Sequence, residues 1–196
     1  RHKKNKTGAL IFVGEEIPKD IQFDFVSPVK CLSDFMFSFR ALCSDIKNIT
    51  FGLAQYMVYS NIPSFNYKEI CLDSINHLTP ETAEMLIRIP SNLYLNGLTE
   101  ITSDLAKKLA KQKGSLYLNG IQKITPKTLH ELVKDEGNLY LNGLMNISPE
   151  MAREFSNSNG KLHLNGLTSM NADVAILLAK NPNDMWFDGL TELRPE

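Results

Sequence analysis

The chain repeats itself every 23 residues, and this period restricts its fold more than any other feature of the sequence. Four segments read NLYLNGLTEI, SLYLNGIQKI, NLYLNGLMNI and KLHLNGLTSM, and DMWFDGLTEL and EICLDSINHL are more divergent copies. In chain order the six copies begin at Glu69, Asn92, Ser115, Asn138, Lys161 and Asp184. Six copies in register, with no insertion between them, indicate one structural unit for every 23 residues.

The first half of each unit has the period of two that is typical of a β-strand. In one copy Leu93 and Leu95 are apolar, and Tyr94 and Asn96 alternate with them. A glycine such as Gly97 follows, where the chain must bend and a side chain would hinder it. Asn–Gly pairs often mark β-hairpins, but hairpins would make the strands antiparallel and leave the second half of each unit unexplained.

The second half of each unit has the signals of an α-helix. Residues that favour the N-cap position recur at the same place in five units, namely Thr79, Thr102, Thr125, Ser148 and Asn171. Proline follows directly in three of them, where its missing N–H has no cost. Apolar residues three and four positions apart, such as Ala106 and Leu109, predict one buried face. We expect a glycine such as Gly114 to end the helix and to return the chain to the next strand.

A strand and a helix of about ten residues cannot bury their apolar faces alone, but stacked copies can. We therefore predict an α/β fold in which the units form a right-handed solenoid. The parallel sheet would lie on the concave face and the helices on the convex face, because helices take more lateral room than strands about 4.8 Å apart.

The motif LxLNGLxxI, followed by an N-cap and a helix, resembles the leucine-rich repeat family over residues 69–196. It is most similar to short bacterial variants with 23-residue repeats. It departs from the commoner LxxLxLxxNxL form, because Leu98 or Ile121 takes the place of the buried asparagine. The usual asparagine ladder is therefore not carried over, and Asn96 and its equivalents fall on the outward side of the strand. The resemblance implies a protein-binding role.

The remainder of the chain is less regular. We predict a disordered basic tail at residues 1–7, divergent capping repeats at 8–68, and regular repeats at 69–196 of which the last is truncated. Strands are expected at 9–13, 21–25 and 49–51, with a helix following Ser33 and Asp34. The alternative is a separate small domain, and pairing of the strand at Ile49 beside that at Ile70 would decide between them.

The segment after Leu193 matches the start of another helix, and no polar cap follows it. We expect the chain to be part of something longer, with an uncapped last repeat that allows end-to-end self-association. A catalytic or anchoring domain in the missing part remains an alternative.

Three columns of side chains, which begin at Asn92, Cys71 and Asp73, should be exposed on the concave face. Their charged and aromatic members are the candidate partner-binding residues: Tyr94, Tyr117, Tyr140, Lys161, His163, Asp184, Trp186 and Asp188. Tyrosine and tryptophan are common anchors of protein interfaces. Identical side chains in successive units are also what stacking between repeats requires, so a structural role stays open beside the binding role. The last two units break the uniformity, and we expect binding there first.

Several classes of function lack support in the sequence. The net charge is −1, so no overall basic field attracts nucleic acid. No apolar run approaches the roughly 20 residues of a membrane span. Motifs of nucleotide-binding loops, zinc proteases and serine hydrolases are absent, and we predict no enzyme activity, no cofactor and no metal. The three cysteines, Cys31, Cys43 and Cys71, do not form a disulfide framework, which slightly favours a reducing compartment such as the cytoplasm.

The function predicted from these features is a non-enzymatic interaction scaffold that holds a protein partner on its concave face. Two alternatives stay open. One is a structural or surface module that spaces other domains or holds a carbohydrate, and the other is the recognition arm of a larger, enzymatic protein.

Overall fold

A computed structural model of the protein describes residues 69–195, apart from 135, together with Lys3–Lys4, Leu10–Ile11, Ile49 and Ala54. Strands and helices alternate along the repeats. The described helices are α1 (Pro80–Leu86), α2 (Ser103–Leu109), α3 (Pro126–Leu132), α4 (Pro149–Ser156) and α5 (Ala172–Leu178). The described strands are β1 (Lys3–Lys4), β2 (Leu10–Ile11), β3 (Glu69–Cys71), β4 (Asn92–Tyr94), β5 (Leu116–Tyr117), β6 (Leu139–Tyr140), β7 (Leu162–His163), β8 (Ser169–Asn171), β9 (Met185–Trp186) and β10 (Glu192–Arg194).

One strand from each of the six repeats enters a single parallel sheet with the order β3-β4-β5-β6-β7-β9. Each residue pairs with the residue 23 positions further along the chain, as Leu93 does with Leu116. The 23-residue period of the sequence is therefore also the offset between paired residues of neighbouring strands. The prediction of an α/β fold with a parallel sheet is confirmed, and the Asn–Gly pairs do not form hairpins.

Two smaller pairings lie outside this sheet. Strand β10 pairs in parallel with β8, again 23 residues apart, so Arg194 lies in a strand instead of at the start of a helix. Strands β1 and β2 pair antiparallel. Strand β1 belongs to the predicted basic tail, and β2 lies within the strand predicted at 9–13.

The helices begin where the capping pattern predicts. In all five, the N-cap side chain accepts a hydrogen bond from the backbone N–H three residues later, as Thr102 does from Leu105 at 3.2 Å. Pro80, Pro126 and Pro149 occupy the first helical turn. The capping residues therefore set the start of each helix.

The helices do not end at glycine, which corrects our prediction for Gly114. Helix α2 ends at Leu109, and its C-cap residue Ala110 has the right-handed helical backbone angles φ −63° and ψ −5°. The Gln112 N–H then donates to the Leu109 carbonyl at 2.9 Å. Gly114 lies further along, where an added Cβ would contact the Ser91 backbone. This glycine allows two neighbouring repeats to approach closely, and it does not cap the helix.

The inward side chains of strands and helices form one hydrophobic core. In the central repeats Leu93, Leu95, Leu98 and their equivalents are at most 1% exposed. Helix residues such as Leu109 and Leu132 pack into the same cluster, which also includes Ile49 and Ala54. Ile49 is described and belongs to no strand, whereas residues 50 and 51 of the strand predicted there lie outside the described residues. The other predicted elements between 12 and 48, and both Cys31 and Cys43, also lie outside them.

Candidate functional site

Five ring side chains from successive strands of the large sheet form one continuous stack. The stack consists of Tyr94, Tyr117, Tyr140, His163 and Trp186, in that order. The ring centroids are 4.0, 4.0, 3.9 and 4.2 Å apart, and neighbouring ring planes differ by 4 to 13°. In-register parallel strands place equivalent side chains side by side, so a ring at this position meets the ring of the next repeat.

Stacking covers most of the ring faces and leaves the ring edges and hydroxyl groups at the surface. All five residues are only half-buried. An aromatic pair contributes about 0.5–1.5 kcal/mol beyond the area that it buries. The stack therefore stabilises the contact between repeats, and along its middle a partner meets edges and polar atoms instead of open rings.

Cys71, which we placed first in this column, does not belong to the exposed surface. It is paired in register with Tyr94, but it is only 3% exposed. The small Cys71 side chain is buried and offers no surface for contact with a partner.

A second column, of amides, runs beside the stack. The side-chain oxygen of each of its first five members accepts a hydrogen bond from the backbone N–H of the equivalent residue in the next repeat, at 2.9 to 3.1 Å. The column consists of Asp73, Asn96, Asn119, Asn142, Asn165 and Asp188. These bonds satisfy backbone donors that the short strands leave unpaired. We call this column the amide ladder.

The glycine that follows every ladder residue except Asp73 is explained by close approach between repeats. A Cβ on Gly120 would collide with the backbone carbonyl oxygen of Asn96 and lie 2.7 Å from that of Leu98. No other residue fits this position without moving backbone atoms. The Asn–Gly pair thus combines a link to the next repeat with contact to the previous one.

Sequence reasoning missed this ladder. It excluded the buried asparagine ladder of the commoner leucine-rich form, and it assigned the outward asparagines only to an exposed column. The recurring Asn–Gly pair was the available signal, because an amide followed by a close-approach glycine fits a turn that is linked to its neighbour.

The third column lies on the other side of the stack and contains the most charged residues. It consists of Glu69, Asn92, Ser115, Asn138, Lys161 and Asp184. The Asn92 side chain accepts a hydrogen bond from the Ser115 N–H at 2.9 Å. In the last two repeats Lys161 forms an ion pair of 2.7 Å with Asp184, and its ammonium lies 5.8 Å from the Trp186 ring centroid. The C-terminal rows therefore carry charges where the middle rows carry amides and a hydroxyl.

Burial alters the titration of the stacked groups. It is the largest cause of the raised pKa of Tyr140, which reaches about 12, and the neighbouring Tyr117 phenol adds to the effect. The pKa of Tyr94 is raised for the same two reasons, and its hydroxyl donates to Glu69 at 3.1 Å. Burial lowers the pKa of His163, which Asp188 opposes and Lys161 reinforces. Tyr94 and Tyr140 therefore stay uncharged well into alkaline pH.

All eight residues predicted to bind a partner lie on one surface. Five of them form the ring stack, and Lys161, Asp184 and Asp188 lie beside its last two rings. We use the term sheet face for the ring stack together with the two columns that flank it.

The helix side carries paired charges. Lys108 pairs with Glu84 at 2.5 Å, and His130 with Glu154 at 2.8 Å, each pair linking helices of neighbouring repeats. Such exposed pairs contribute little stability each. The Glu84 carboxylate offsets the positive charge of Lys108 on α2.

The described part of the chain contains no group of three or more histidine, cysteine or acidic side chains that could hold a metal ion. None of the helices within it combines the length and the apolar character needed to cross a membrane. No protein-family model matches the sequence, and no curated protein matches it at a significant level.

Proposed function

We propose that the protein is a leucine-rich repeat solenoid and that it holds a protein partner on the sheet face, which would be concave, with the helices on the convex side. The 23-residue register, the close-approach glycines and the amide ladder all support successive coils of one kind. The proposed role requires no catalytic residue.

The observation that carries the binding role is the half-buried ring stack with hydrogen-bonding groups on both sides. Tyrosine and tryptophan are enriched among residues that dominate binding energy, because they combine a large apolar surface with a polar atom. The stack holds these side chains rigidly, so little conformational entropy is lost when a partner contacts them. A preorganised aromatic row of this kind suits a protein surface.

The structure gives less support to carbohydrate binding than the sequence alone does. A sugar platform usually offers an open aromatic face, but the faces of Tyr117 and Tyr140 are covered by neighbouring rings 4.0 Å away. A protein partner can use ring edges, hydroxyl groups and amides instead.

The test compares binding with stability in the double variant Tyr117→Ala plus Tyr140→Ala. Proteins captured from a lysate by the full chain are identified, purified and titrated against the wild type, the double variant and Lys127→Ala, an exposed change on the helix side. We expect the double variant to bind at least about tenfold more weakly, which corresponds to about 1.4 kcal/mol, while the helix-side control binds like the wild type.

Thermal melts of the same variants separate the two roles of the stack. If the melting temperature falls steeply while the folded fraction binds the partner with unchanged affinity, the stack is structural and the proposed binding surface is wrong.

Self-association through the last repeat is a second proposed interaction. Leu193 is 65% exposed there, beside an open pocket of about 360 Å³ lined by Met185, Phe187 and Leu190 among others. Sedimentation of the wild type and Leu193→Glu tests it, and identical monomeric behaviour of both would contradict it.

A further inference from the structure

The sheet face carries an excess of acidic groups although the chain as a whole is nearly neutral, at −1. Its described charged residues are Glu69, Asp73, Lys161, Asp184 and Asp188, in addition to the ionisable His163. The rows between them contain only tyrosine, asparagine and serine. Among the described residues, four carboxylates against one ammonium group give this surface a net negative charge that favours a cationic partner.

The carboxylates are concentrated at the two ends of the sheet face. Glu69 begins the first strand of the sheet and Asp73 lies two residues after its end, whereas Asp184 directly precedes the last strand and Asp188 lies two residues after it. Five strand steps of about 4.8 Å separate them by roughly 24 Å. An extended peptide rises about 3.3 Å per residue, so about seven residues span this distance.

The C-terminal end already contains one cation of the kind that this surface accepts. Lys161 lies 2.7 Å from the Asp184 carboxylate and 5.8 Å from the Trp186 ring centroid. Both contacts are favourable, and tryptophan is the best aromatic partner for a cation. A cation held between an indole and a carboxylate is therefore a feature of the molecule itself.

The other side of Trp186 offers a similar carboxylate. Asp184 and Asp188 flank the indole at alternate positions, and Asp188 is exposed. Its carboxylate accepts the side-chain N–H of Asn165 at 2.9 Å, and an amide donor leaves its charge in place. At the first strand, Asp73 likewise accepts a neutral backbone N–H, that of Asn96.

We propose that the partner presents a basic extended segment to the sheet face, with arginine side chains at the two carboxylate ends and uncharged residues over the tyrosines. This inference rests on the proposed binding function and specifies its ligand. Arginine fits better than lysine, because its guanidinium can bond a carboxylate and stack against an aromatic ring together. The guanidinium at the C-terminal end contacts Asp188 and Trp186.

Trp186 is the only tryptophan of the chain, so its fluorescence reports binding at that end directly. The probes are synthetic peptides of about nine residues with arginine near both ends, and matched peptides with citrulline or glutamate in its place. We expect the Trp186 fluorescence to change saturably with the concentration of the arginine peptide. The affinity should decrease as the salt concentration rises from about 50 to about 300 mM. The citrulline peptide should bind at least about tenfold more weakly, and the glutamate peptide should not bind.

The matched variants remove charge but keep the amide ladder. Asp73→Asn plus Asp188→Asn preserves the side-chain oxygen that accepts or faces the neighbouring repeat, whereas Glu81→Gln plus Glu150→Gln removes two charges from exposed first-turn positions of the helices. We expect the Asp73→Asn plus Asp188→Asn variant to bind the arginine peptide about tenfold or more weakly than the wild type. The Glu81→Gln plus Glu150→Gln variant should bind it with an affinity within about twofold of the wild type.

Equal binding of the citrulline peptide, equal loss in both double variants, or no saturable response to any peptide would overturn the inference. A natural partner that needs Tyr117 and Tyr140 but presents an acidic or neutral segment would also overturn it, while leaving the proposed function intact. A partner that is indifferent to the stack variant would instead remove the proposed function.

Discussion

The middle of the sheet face and its last two repeats have the same geometry but different side chains. From β4 to β6 the rows repeat tyrosine and asparagine, whereas the last two rows contain His163 and Trp186. The ring spacings are 4.0 Å in the middle and 3.9 and 4.2 Å at the end, and the ladder bonds stay within 2.9 to 3.1 Å. Stacking therefore requires a flat ring but not a particular one, so the change of chemistry in the last repeats is free to serve recognition.

The strongest way to break the common geometry is to fill the space between repeats. Gly120→Ala places a Cβ against the backbone carbonyls of Asn96 and Leu98, which cannot move without distorting a neighbouring repeat. We expect a loss of about 3 kcal/mol or more in the free energy of unfolding, at the upper end of overpacking effects. Chemical denaturation followed by circular dichroism measures it.

The exposed Gln122, two residues further along the same loop, provides the control. Gln122→Ala should change stability by less than about 0.5 kcal/mol. A tolerated alanine at position 120 would mean that the close approach of the repeats is not required.

Removing one rung of the amide ladder should cost more in the middle than at the end. Asn142→Ala leaves the Asn165 backbone N–H without its acceptor, which we expect to cost about 1–2 kcal/mol. Asn165→Ala removes the acceptor of the Asp188 N–H at the exposed end of the ladder, where water can replace it, and we expect less than about 1 kcal/mol. Equal losses measured by denaturation would show that the ladder bonds do not differ between the two regions.

The tyrosine rows should respond to alkaline pH through the phenol contacts. Because the pKa of Tyr140 is about 12 in the folded chain against 10.0 ordinarily, the folded state retains its proton while the unfolded state loses it. Stability should therefore fall as pH rises from about 10 to about 12. Tyr117→Phe keeps the ring stack and should lower the pKa of Tyr140 without returning it to 10.0, because burial is its larger cause.

Tyrosinate absorbance, with Tyr140→Phe subtracted to isolate the residue, measures this titration. An unchanged Tyr140 titration in Tyr117→Phe would show that the neighbouring phenol has no influence.

The smallest expected effect concerns the histidine that replaces tyrosine in the fourth ring position. Burial lowers the pKa of His163 below 6.5, so the unfolded chain binds its proton more readily than the folded chain. Stability from this residue is complete above pH 6.5 and declines as pH falls toward the lower, folded-state pKa. His163→Tyr should remove that part of the acid dependence and change stability at pH 8 by less than about 1 kcal/mol.

Denaturation midpoints between pH 8 and 5 for the wild type and His163→Tyr measure the difference. Parallel pH profiles would show that the imidazole does not titrate differently on folding.

The elements that recur in the sequence were the ones that could be predicted. Thr102 and its equivalents gave the helix starts, because an N-cap depends on residues within one turn of chain. The 23-residue period predicted the strand register, because equivalent residues of parallel strands must align. These signals are either local or repeated, and both kinds are visible in one sequence.

Contacts between repeats were harder to predict from residue types. Gly114 was assigned to a helix end, and Asn96 to an open surface, because their contacts lie in a neighbouring repeat and have no local signature. Cys71 was placed with the exposed rings on register alone, although its side chain is buried. Before residue 69 no strict period exists, so neighbouring contacts there could not be inferred in the same way.

The amide ladder has a consequence for how the chain can change length during evolution or engineering. Every link joins residues 23 positions apart and runs in one direction, from an N–H to the preceding side-chain oxygen. Duplicating or deleting one whole unit restores every donor and acceptor, whereas gaining or losing a single residue changes the 23-residue spacing of the link that spans it. Such a gene should therefore grow and shrink in modules, with smaller insertions confined to the ends.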